Sequence, residues 1–262
     1  MYTWNAQDYA ENSTAQQTWA RELMAKLKLQ GHEHILDLGC GEGKVTAELA
    51  SQVPNGSVTG IDQSAAMISL AQTRFPSDPF TNLYFQQMDA RQLTFHNQFD
   101  RVFSNATLHW VDDHQAVLQG LQKGLKPQGR LLLQMGGKGN VVGMIEAVQT
   151  VIQHSQWSPY FQGFAFPYYF YSPDDYQQWL PAAGLKPLRL ELIPKDMVHA
   201  NPTGLAGWIR TTWLPYVQRV PEESAETFVS AIVDQYLQQY PVTEDGKTHV
   251  AMIRLEVEAS KD

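Results

Sequence analysis

Hydrophobic residues in the first half of the chain form short apolar runs, which alternate with longer stretches where apolar residues recur every three or four positions. The short runs are typical of buried strands and the longer stretches of amphipathic helices. Trp19, Leu23 and Leu27, for example, fall on one helical face. The pattern predicts helices over 14–29, 44–52, 65–74 and 114–125, and strands over 34–38, 57–61, 83–87, 99–104 and 130–135.

The second half of the chain has a different pattern. Aromatic residues crowd the stretch from Trp157 to Trp179, and a helical region is predicted over 204–240. Strands are predicted over 185–193 and 248–259. Alternating strands and helices, with an almost wholly apolar strand at 130–135, indicate an α/β fold with a doubly wound, mostly parallel sheet.

Composition and charge exclude several classes of protein. Nineteen basic residues face 27 acidic ones, which gives a formal charge of -8, and no dense run of lysine and arginine offsets it. Duplex nucleic acid and anionic membranes are therefore poor partners. Cys40, the single cysteine, excludes an intrachain disulfide or a thiolate zinc site. With no signal-peptide pattern and no apolar run long enough to cross a bilayer, we expect a cytoplasmic monomer or homodimer.

The strongest motif is ILDLGCGEGKVT at residues 35–46, where a predicted strand containing Asp37 leads into Gly39, Gly41 and Gly43. Glycines permit a tight turn and let a ligand approach the backbone, and the following helix presents free N–H groups. The spacing is neither GxGxxG nor that of a P-loop. Asp62 ends the next strand, where a carboxylate can accept from ribose hydroxyls. Together these features favour a nucleoside cofactor over a tight turn with a solvated acid.

The ordered motifs DLGCGEG, GID, MDARQL and FDRVFSNATLHWV resemble those of class I S-adenosylmethionine-dependent methyltransferases along essentially the whole chain. The resemblance implies a seven-stranded sheet with an antiparallel last strand. It also implies that the glycine turn and Asp37 hold the methionine part, that Asp62 holds the ribose, and that Asp89 and the Ala90 N–H meet the adenine. The implied cofactor residues are Asp37, Gly39, Cys40, Gly41, Asp62, Gln63, Met67, Asp89, Ala90 and Asn105.

Two subfamilies are similar in more detail. GWIRTTWLPYV, QYPVTEDG and MIRLEVEA are similar to the second half of trans-aconitate methyltransferases. Tyr9, Asn12 and Gln16 are similar to the start of juvenile hormone acid (farnesoic acid) methyltransferases. Both subfamilies methylate carboxylates, and in the second a Gln at the position of Gln16 and the Trp of the HW pair, here Trp110, are thought to hold the substrate. The acceptor is then a small carboxylic acid, and the product of the cofactor is S-adenosylhomocysteine.

The acceptor chemistry leaves alternatives open. A carboxylate is already ionised at neutral pH and needs only donors such as Gln16 and Trp110, although Gln17 competes with Gln16 for that position. His109 is instead a candidate base, which would favour an oxygen, nitrogen or carbon acceptor that must lose a proton. A scaffold that binds the cofactor without catalysis is a further alternative. The GxGxG spacing disfavours a nicotinamide-dependent enzyme.

Metal chemistry and domain organisation complete the expectations. His32 and His34 flank Glu33 without an HExxH motif or a carboxylate cluster, so no metal site is expected. We expect a cofactor-binding core over 1–140 and an aromatic lid insertion over 141–184. Residues 185–262 would carry the last strands of the same sheet, with a helical substrate cap at about 200–242.

Overall fold

A computed structural model describes the backbone from Thr14 to Asp262 and the side chains from Thr18 onward. The chain divides into two compact units. The sheet unit comprises Gln16–Lys138, Tyr168–Ile193 and Arg254–Asp262, and the helical unit contains Gly139–Pro167 and Pro194–Ile253. Among the described residues, no helix combines the length and the apolar character that a membrane crossing requires.

The elements alternate along the chain as the sequence pattern predicts. The strands are β1 (His34–Leu38), β2 (Ser57–Asp62), β3 (Leu83–Gln87), β4 (Phe99–Asn105), β5 (Leu125–Gly136), β6 (Lys186–His199) and β7 (Thr248–Ser260). The helices are α1 (Thr14–Lys26), α2 (Lys44–Gln52), α3 (Ala65–Arg74), α4 (His114–Gly124), α5 (Val142–Gln153), α6 (Pro173–Ala182), α7 (Pro202–Thr212), α8 (Leu214–Val217) and α9 (Ala225–Gln239). Short 3-10 turns cover Ala90–Gln92, Leu108–Trp110, Ser158–Phe161 and Glu222–Ser224.

The strands of the described chain form one seven-stranded sheet in the order β3-β2-β1-β4-β5-β7-β6. Neighbouring strands from β3 to β5 are parallel, and β7 runs antiparallel to β5. This confirms the predicted seven-stranded α/β sheet with its antiparallel last strand. Because β1 lies between β2 and β4, the carboxyl ends of these three strands meet at one edge, where open α/β sheets bind ligands.

Helices cover both faces of the sheet, which explains why its central strands are apolar on both sides. On one face, α1 and α2 contribute Leu23 and Leu49 to a core that includes Phe103 of β4. On the other face, α4 and α6 contribute Leu118 and Leu180. The doubly wound arrangement is therefore confirmed.

Three predicted boundaries are wrong by more than two residues. Strand β6 ends at His199 rather than at residue 193, and the other two have visible local reasons. Helix α1 ends at Lys26 rather than at residue 29, because Lys28 adopts a φ of +50°, which no helix continues. Strand β5 begins at Leu125 rather than at residue 130. The turn signal that Pro127 and Gly129 provide lies inside it, where Gln128 adopts a φ of +63°.

The helical unit contains α5, α7, α8 and α9. The last three of these helices occupy the stretch where the sequence predicts a single helical region over 204–240. Its aromatic residues pack on one another: Trp157 and Phe161 lie 5.1 and 5.5 Å from the Phe228 ring of α9. Phe164 makes an edge contact with Tyr216 at 4.7 Å. The first part of the aromatic-rich stretch therefore builds the core of this unit, and the part from Tyr168 onward belongs to the sheet unit.

Candidate functional site

The glycine turn connects β1 to α2 with three residues in the left-handed region. Gly39, Gly41 and Gly43 have φ of +79°, +53° and +85°, a region that other residues enter only at a cost. The N–H groups of Gly39 and Cys40 both donate to the Ile61 carbonyl of β2, at 2.8 and 2.9 Å. The turn is therefore anchored to the end of the neighbouring strand.

The three glycines differ in what surrounds them. A Cβ added at Gly39 would lie 2.1 Å from the Thr107 side chain, and one added at Gly43 would lie 2.7 Å from Phe85. A Cβ added at Gly41 would meet no described atom within 4 Å. Gly39 and Gly43 are thus required by packing within the chain, and Gly41 alone faces open space that a ligand can enter.

Asp62 lies beside this open space at the end of β2. One carboxylate oxygen accepts from the Gly41 N–H at 3.1 Å, and the other accepts from the Ser64 N–H at 2.8 Å. Burial raises the pKa of Asp62, although these two N–H groups oppose the shift. Exposed Gln63 follows it, and Met67 is buried in α3. The structure thus brings Asp62 against the glycine turn, as the sequence predicts.

Asp37 is a second acid of the site and is buried in β1. Its carboxylate accepts from the Thr46 hydroxyl at 2.7 Å. Burial raises the pKa of Asp37 to about 7, the Thr46 hydrogen bond opposes this rise, and the charge of Asp62 adds to it. Cys40 between the two acids is also buried, and burial raises the pKa of its thiol far above the usual range. A group that carries positive charge would stabilise the ionised form of Asp37.

Asp89 starts the 3-10 turn Ala90–Gln92 and is tied to its own neighbours. It accepts from the Arg91 N–H at 2.9 Å and from the Arg91 guanidinium at 2.7 Å. Arg91 also contacts Asp112 at 2.9 Å. The Arg91 hydrogen bond holds the pKa of Asp89 below its usual range. The Arg91 Nε also contacts both carboxylate oxygens, at 3.1 and 3.2 Å, so Arg91 fixes the orientation of the Asp89 carboxylate.

The turn after β4 is locked to the glycine turn by a residue that the sequence analysis missed. Ala106 adopts a φ of +57°, unusual for a residue with a Cβ, and its N–H donates to the Gln134 carbonyl at 2.8 Å. The Thr107 hydroxyl lies 3.2 Å from both the Gly39 and Asn105 carbonyls. Thr107 therefore fixes Asn105 beside the glycine turn. The only indication of this role in the sequence is that Thr107 follows the end of a predicted strand.

Aromatic rings gather around the turn Leu108–Trp110. Tyr168 lies 4.9 Å from Trp110 in an edge contact and 5.7 Å from Phe170 in a parallel stack. The His109 ring lies within 6.4 Å of all three rings. His109 and Trp110 are thus held in one aromatic cluster of the sheet unit.

The His109 ring is arranged as a hydrogen-bond donor. Its Nδ1 accepts from the Gly136 N–H at 3.4 Å, so in the neutral ring the proton lies on Nε2. Burial holds the pKa of His109 well below its usual range, and the charges of Arg254 and His114 lower it further. The ring is therefore neutral at physiological pH.

A buried pair, His114 and Tyr176, stabilises the turn Leu108–Trp110 through hydrogen bonds. The His114 Nε2 lies 2.8 Å from the Leu108 carbonyl, and its Nδ1 lies 2.7 Å from the Tyr176 hydroxyl. Because Nε2 must donate to the carbonyl, Nδ1 accepts from Tyr176. His114 and Tyr176 are absent from the sequence-based list of site residues, since only the folded chain brings α4 and α6 to the turn.

Four residues that the sequence analysis singled out lie outside the described part of the chain or have side chains outside it. Tyr9 and Asn12 fall before the described residues, and Gln16 and Gln17 lie in α1 with side chains that are not described. Among the described residues, no group of three or more His, Cys, Asp or Glu side chains could hold a metal ion. The site as described therefore consists of the glycine turn, Asp37, Asp62, Asp89 and the two turns that follow β4.

Comparisons with known proteins agree with this geometry. The family model of the methyltransferase domain matches residues 29–184. A trans-aconitate 2-methyltransferase from Shigella flexneri is 28% identical, over 100% of this chain and 99% of the relative. The YcgJ protein of Bacillus subtilis has a similar solved structure, with a TM-score of 0.63 and 15% identity over 94% of this chain and 98% of the other. A Haemonchus contortus phosphoethanolamine N-methyltransferase 2 solved with S-adenosyl-L-methionine has a TM-score of 0.59 and 18% identity, over 93% of this chain and 52% of the other.

Proposed function

Because the chain belongs to the methyltransferase-domain family and is a class I S-adenosylmethionine-dependent methyltransferase, we propose that it methylates a carboxylate oxygen of a small organic acid. The observation that carries this proposal is the turn Leu108–Trp110, whose His109 and Trp110 side chains are both neutral N–H donors. His109 Nδ1, the ring nitrogen that could take a proton, already accepts from Gly136. The name of the full-length relative, trans-aconitate 2-methyltransferase, supports an acid as acceptor.

The glycine turn is the proposed cofactor site. We infer that Gly39–Gly43 holds the methionine part, that Asp37 accepts from its amino group, and that Asp62 accepts from the ribose hydroxyls. The open space at Gly41 and the fixed position of Asp62 beside it support this assignment. S-adenosylmethionine supplies an electrophilic methyl group on a sulfonium and leaves as S-adenosylhomocysteine.

The remaining cofactor residues follow the same edge of the sheet. Asp89 and the Ala90 N–H would meet the adenine, with Gln63 and Met67 on the ribose side. Asn105, at the end of β4, would lie near the sulfonium. The Thr107 hydrogen bonds support this last position, because they tie the Asn105 carbonyl to that of Gly39.

For a carboxylate acceptor, the main requirement on the protein is that it aligns the acceptor oxygen with the methyl group. Its pKa lies near 4, so no side chain has to remove a proton at neutral pH. Alignment alone can lower a barrier by about 7–11 kcal/mol in well-oriented systems. Neutral N–H donors such as those of Trp110 and Gln16 orient the carboxylate without the charge neutralisation of an ion pair, and the aromatic rings at Tyr168 and Phe170 exclude water.

A panel of acceptors tests the proposal. The protein is incubated with S-adenosylmethionine and with acids, alcohols, phenols and amines in parallel, and S-adenosylhomocysteine is quantified by mass spectrometry. The acids include trans-aconitate and an unsaturated long-chain acid, which separate a polar from an apolar acceptor pocket. Turnover confined to acids is the expected result. Turnover of amines or alcohols alone would contradict a carboxylate acceptor, and none with any acceptor would favour a scaffold.

Replacing Trp110 tests the acceptor side of the site. We expect Trp110→Phe to lower kcat/KM for the acid about tenfold, since one neutral donor is lost, with an unchanged Kd for S-adenosylhomocysteine by calorimetry. Trp157→Phe is the matched control, because Trp157 is a buried tryptophan that packs on Phe228 within the helical unit. Equal kcat/KM for Trp110→Phe and the unaltered protein would remove Trp110 from the site.

The pH dependence of cofactor binding tests Asp37. The free protein holds Asp37 largely protonated below its pKa of about 7, and only the ionised form pairs with an ammonium group. Affinity for S-adenosylhomocysteine should therefore rise roughly 25-fold between about pH 5.5 and pH 7.5 and then level off. Thr46→Val removes the hydrogen bond that lowers this pKa, so its midpoint should lie at higher pH. Affinity that is flat with pH in both proteins would place the amino group elsewhere.

A further inference from the structure

A cavity at the amino end of β4 and β5 collects basic side chains. It measures about 600 Å³ and lies within the sheet unit. Its charged lining residues are Lys26, Lys28, Arg101, Arg130, Arg189 and Glu258. Five of the chain's 19 lysine and arginine residues thus surround one cavity of a protein whose formal charge is -8.

Two of these arginines are direct neighbours across the sheet. Arg101 of β4 and Arg130 of β5 are paired in the parallel register, so their side chains leave the same face of the sheet on adjacent strands. Neighbouring strands lie about 4.8 Å apart, and like charges at directly opposed positions destabilise a sheet. An anion between the two guanidinium groups would remove this repulsion.

The other cations of the cavity are partly neutralised. Glu256 accepts from Lys26 at 2.7 Å and from Arg189 at 2.7 Å, so these two are held by a buried carboxylate. Glu258 lies 3.8 Å from Arg130, which is a long contact, and the Arg130 side chain is more than half exposed. Arg101 donates one guanidinium N–H to the Asp100 carbonyl at 2.8 Å.

Lys28 completes the cluster. It follows the carboxyl end of α1, whose partial negative charge Lys26 and Lys28 offset. The recognition of an anion therefore rests mainly on Arg101 and Arg130, whose planar guanidinium groups can each bind a phosphate or a carboxylate through two hydrogen bonds.

We propose that this cavity binds a small polyanion that carries two or more phosphate or carboxylate groups. The volume is within the range of small-molecule sites, and the acidic surface of the whole chain disfavours a nucleic acid. The site is separate from the glycine turn, because Arg101 lies four residues before Asn105 on β4, or roughly 13 Å along the strand. The proposal does not depend on methyl transfer.

Calorimetry without cofactor tests the proposal, with tripolyphosphate and citrate as probes at low ionic strength. We expect at least one probe to bind and its affinity to fall about tenfold or more in Arg101→Gln/Arg130→Gln. The two probes distinguish a phosphate ligand from a carboxylate ligand. The unliganded double variant should melt at the same temperature as the unaltered protein or higher, because the like-charge repulsion is gone.

Lys123→Gln/Lys186→Gln is the matched control, since it removes the same charge from two exposed lysines that do not line the cavity. In a repeat titration at about 0.1 M ionic strength, where exposed charges more than about 10 Å apart are largely screened, its affinity for the probes should stay within about twofold of the unaltered protein. Absence of binding by both probes, or an equal loss in the control, would overturn the proposal. Tighter binding of a single-stranded RNA oligonucleotide that depends on the same arginines would also overturn it.

Discussion

Gly41→Ala is expected to weaken binding of S-adenosylhomocysteine by about a hundredfold or more, which corresponds to about 2.7 kcal/mol. The new Cβ would point into the open space that we assign to the cofactor, where the chain itself has no described atom within 4 Å. The same variant should lose only about 1–2 kcal/mol of unfolding free energy, the cost of a left-handed alanine. Calorimetry with S-adenosylhomocysteine and urea unfolding measure the two effects separately.

Gly163→Ala is the control for backbone strain. Gly163 also has a positive φ, of +66°, and an added Cβ there would likewise meet no described atom within 4 Å. It should lose a similar unfolding free energy and keep the affinity of the unaltered protein. Gly39→Ala is unsuitable as a test, because its clash with Thr107 would disturb the fold itself. Unchanged affinity in Gly41→Ala would show that no ligand approaches the turn at this point.

Asp62→Ala is the second large effect, and we expect it to weaken S-adenosylhomocysteine about a hundredfold. Two causes add. The carboxylate that would accept from the ribose is lost, and the Gly41 and Ser64 N–H groups lose their acceptor, with hydrogen bonds to a charged group contributing about 1.5–3 kcal/mol each. The melting temperature should also fall, because the turn loses one of its hydrogen bonds to β2 and keeps those of Gly39 and Cys40 to the Ile61 carbonyl.

Ser64→Ala separates binding from local stability at the same position. The Ser64 hydroxyl accepts from the Met67 N–H at the start of α3, so its loss should cost about 1 kcal/mol of stability. Its affinity for the cofactor product should stay near that of the unaltered protein. If Ser64→Ala and Asp62→Ala lost affinity equally, Asp62 would act only through the fold of the turn.

Much of the fold could be predicted from the sequence because local signals agree with the tertiary structure. The apolar run of β1 and the run at residues 131–133 of β5 reflect burial on both faces, and the glycines at 39, 41 and 43 indicated a turn at the carboxyl edge. The start of β5 was missed because Pro127 and Gly129 are turn signals. The pairing of Phe99 with Leu125 across the register shift extends the strand past them.

The site was predictable only where the ends of neighbouring strands determine it. Asp62 and Gly41 follow from strand ends that a parallel sheet brings together. The Thr107 contact with Gly39, the Arg91 contact with Asp89 and the hydrogen bond that gives His109 its tautomer all depend on side chains that meet only after folding. The cavity at Arg101 and Arg130 was not predictable either, because no run of basic residues indicates it and the register of two strands brings the two arginines together.

The most direct test of the proposed reaction is the chemical stability of the bond that the transferred methyl group forms. The protein is supplied with S-adenosylmethionine carrying an isotopic label in its methyl group and with the best acid of the acceptor panel, and the purified product is treated with mild alkali. A methyl ester releases the label as methanol, and this is the result we predict. Label that stays bound to the acceptor after alkali, as an N-methyl, C-methyl or ether product would keep it, would contradict transfer to a carboxylate oxygen.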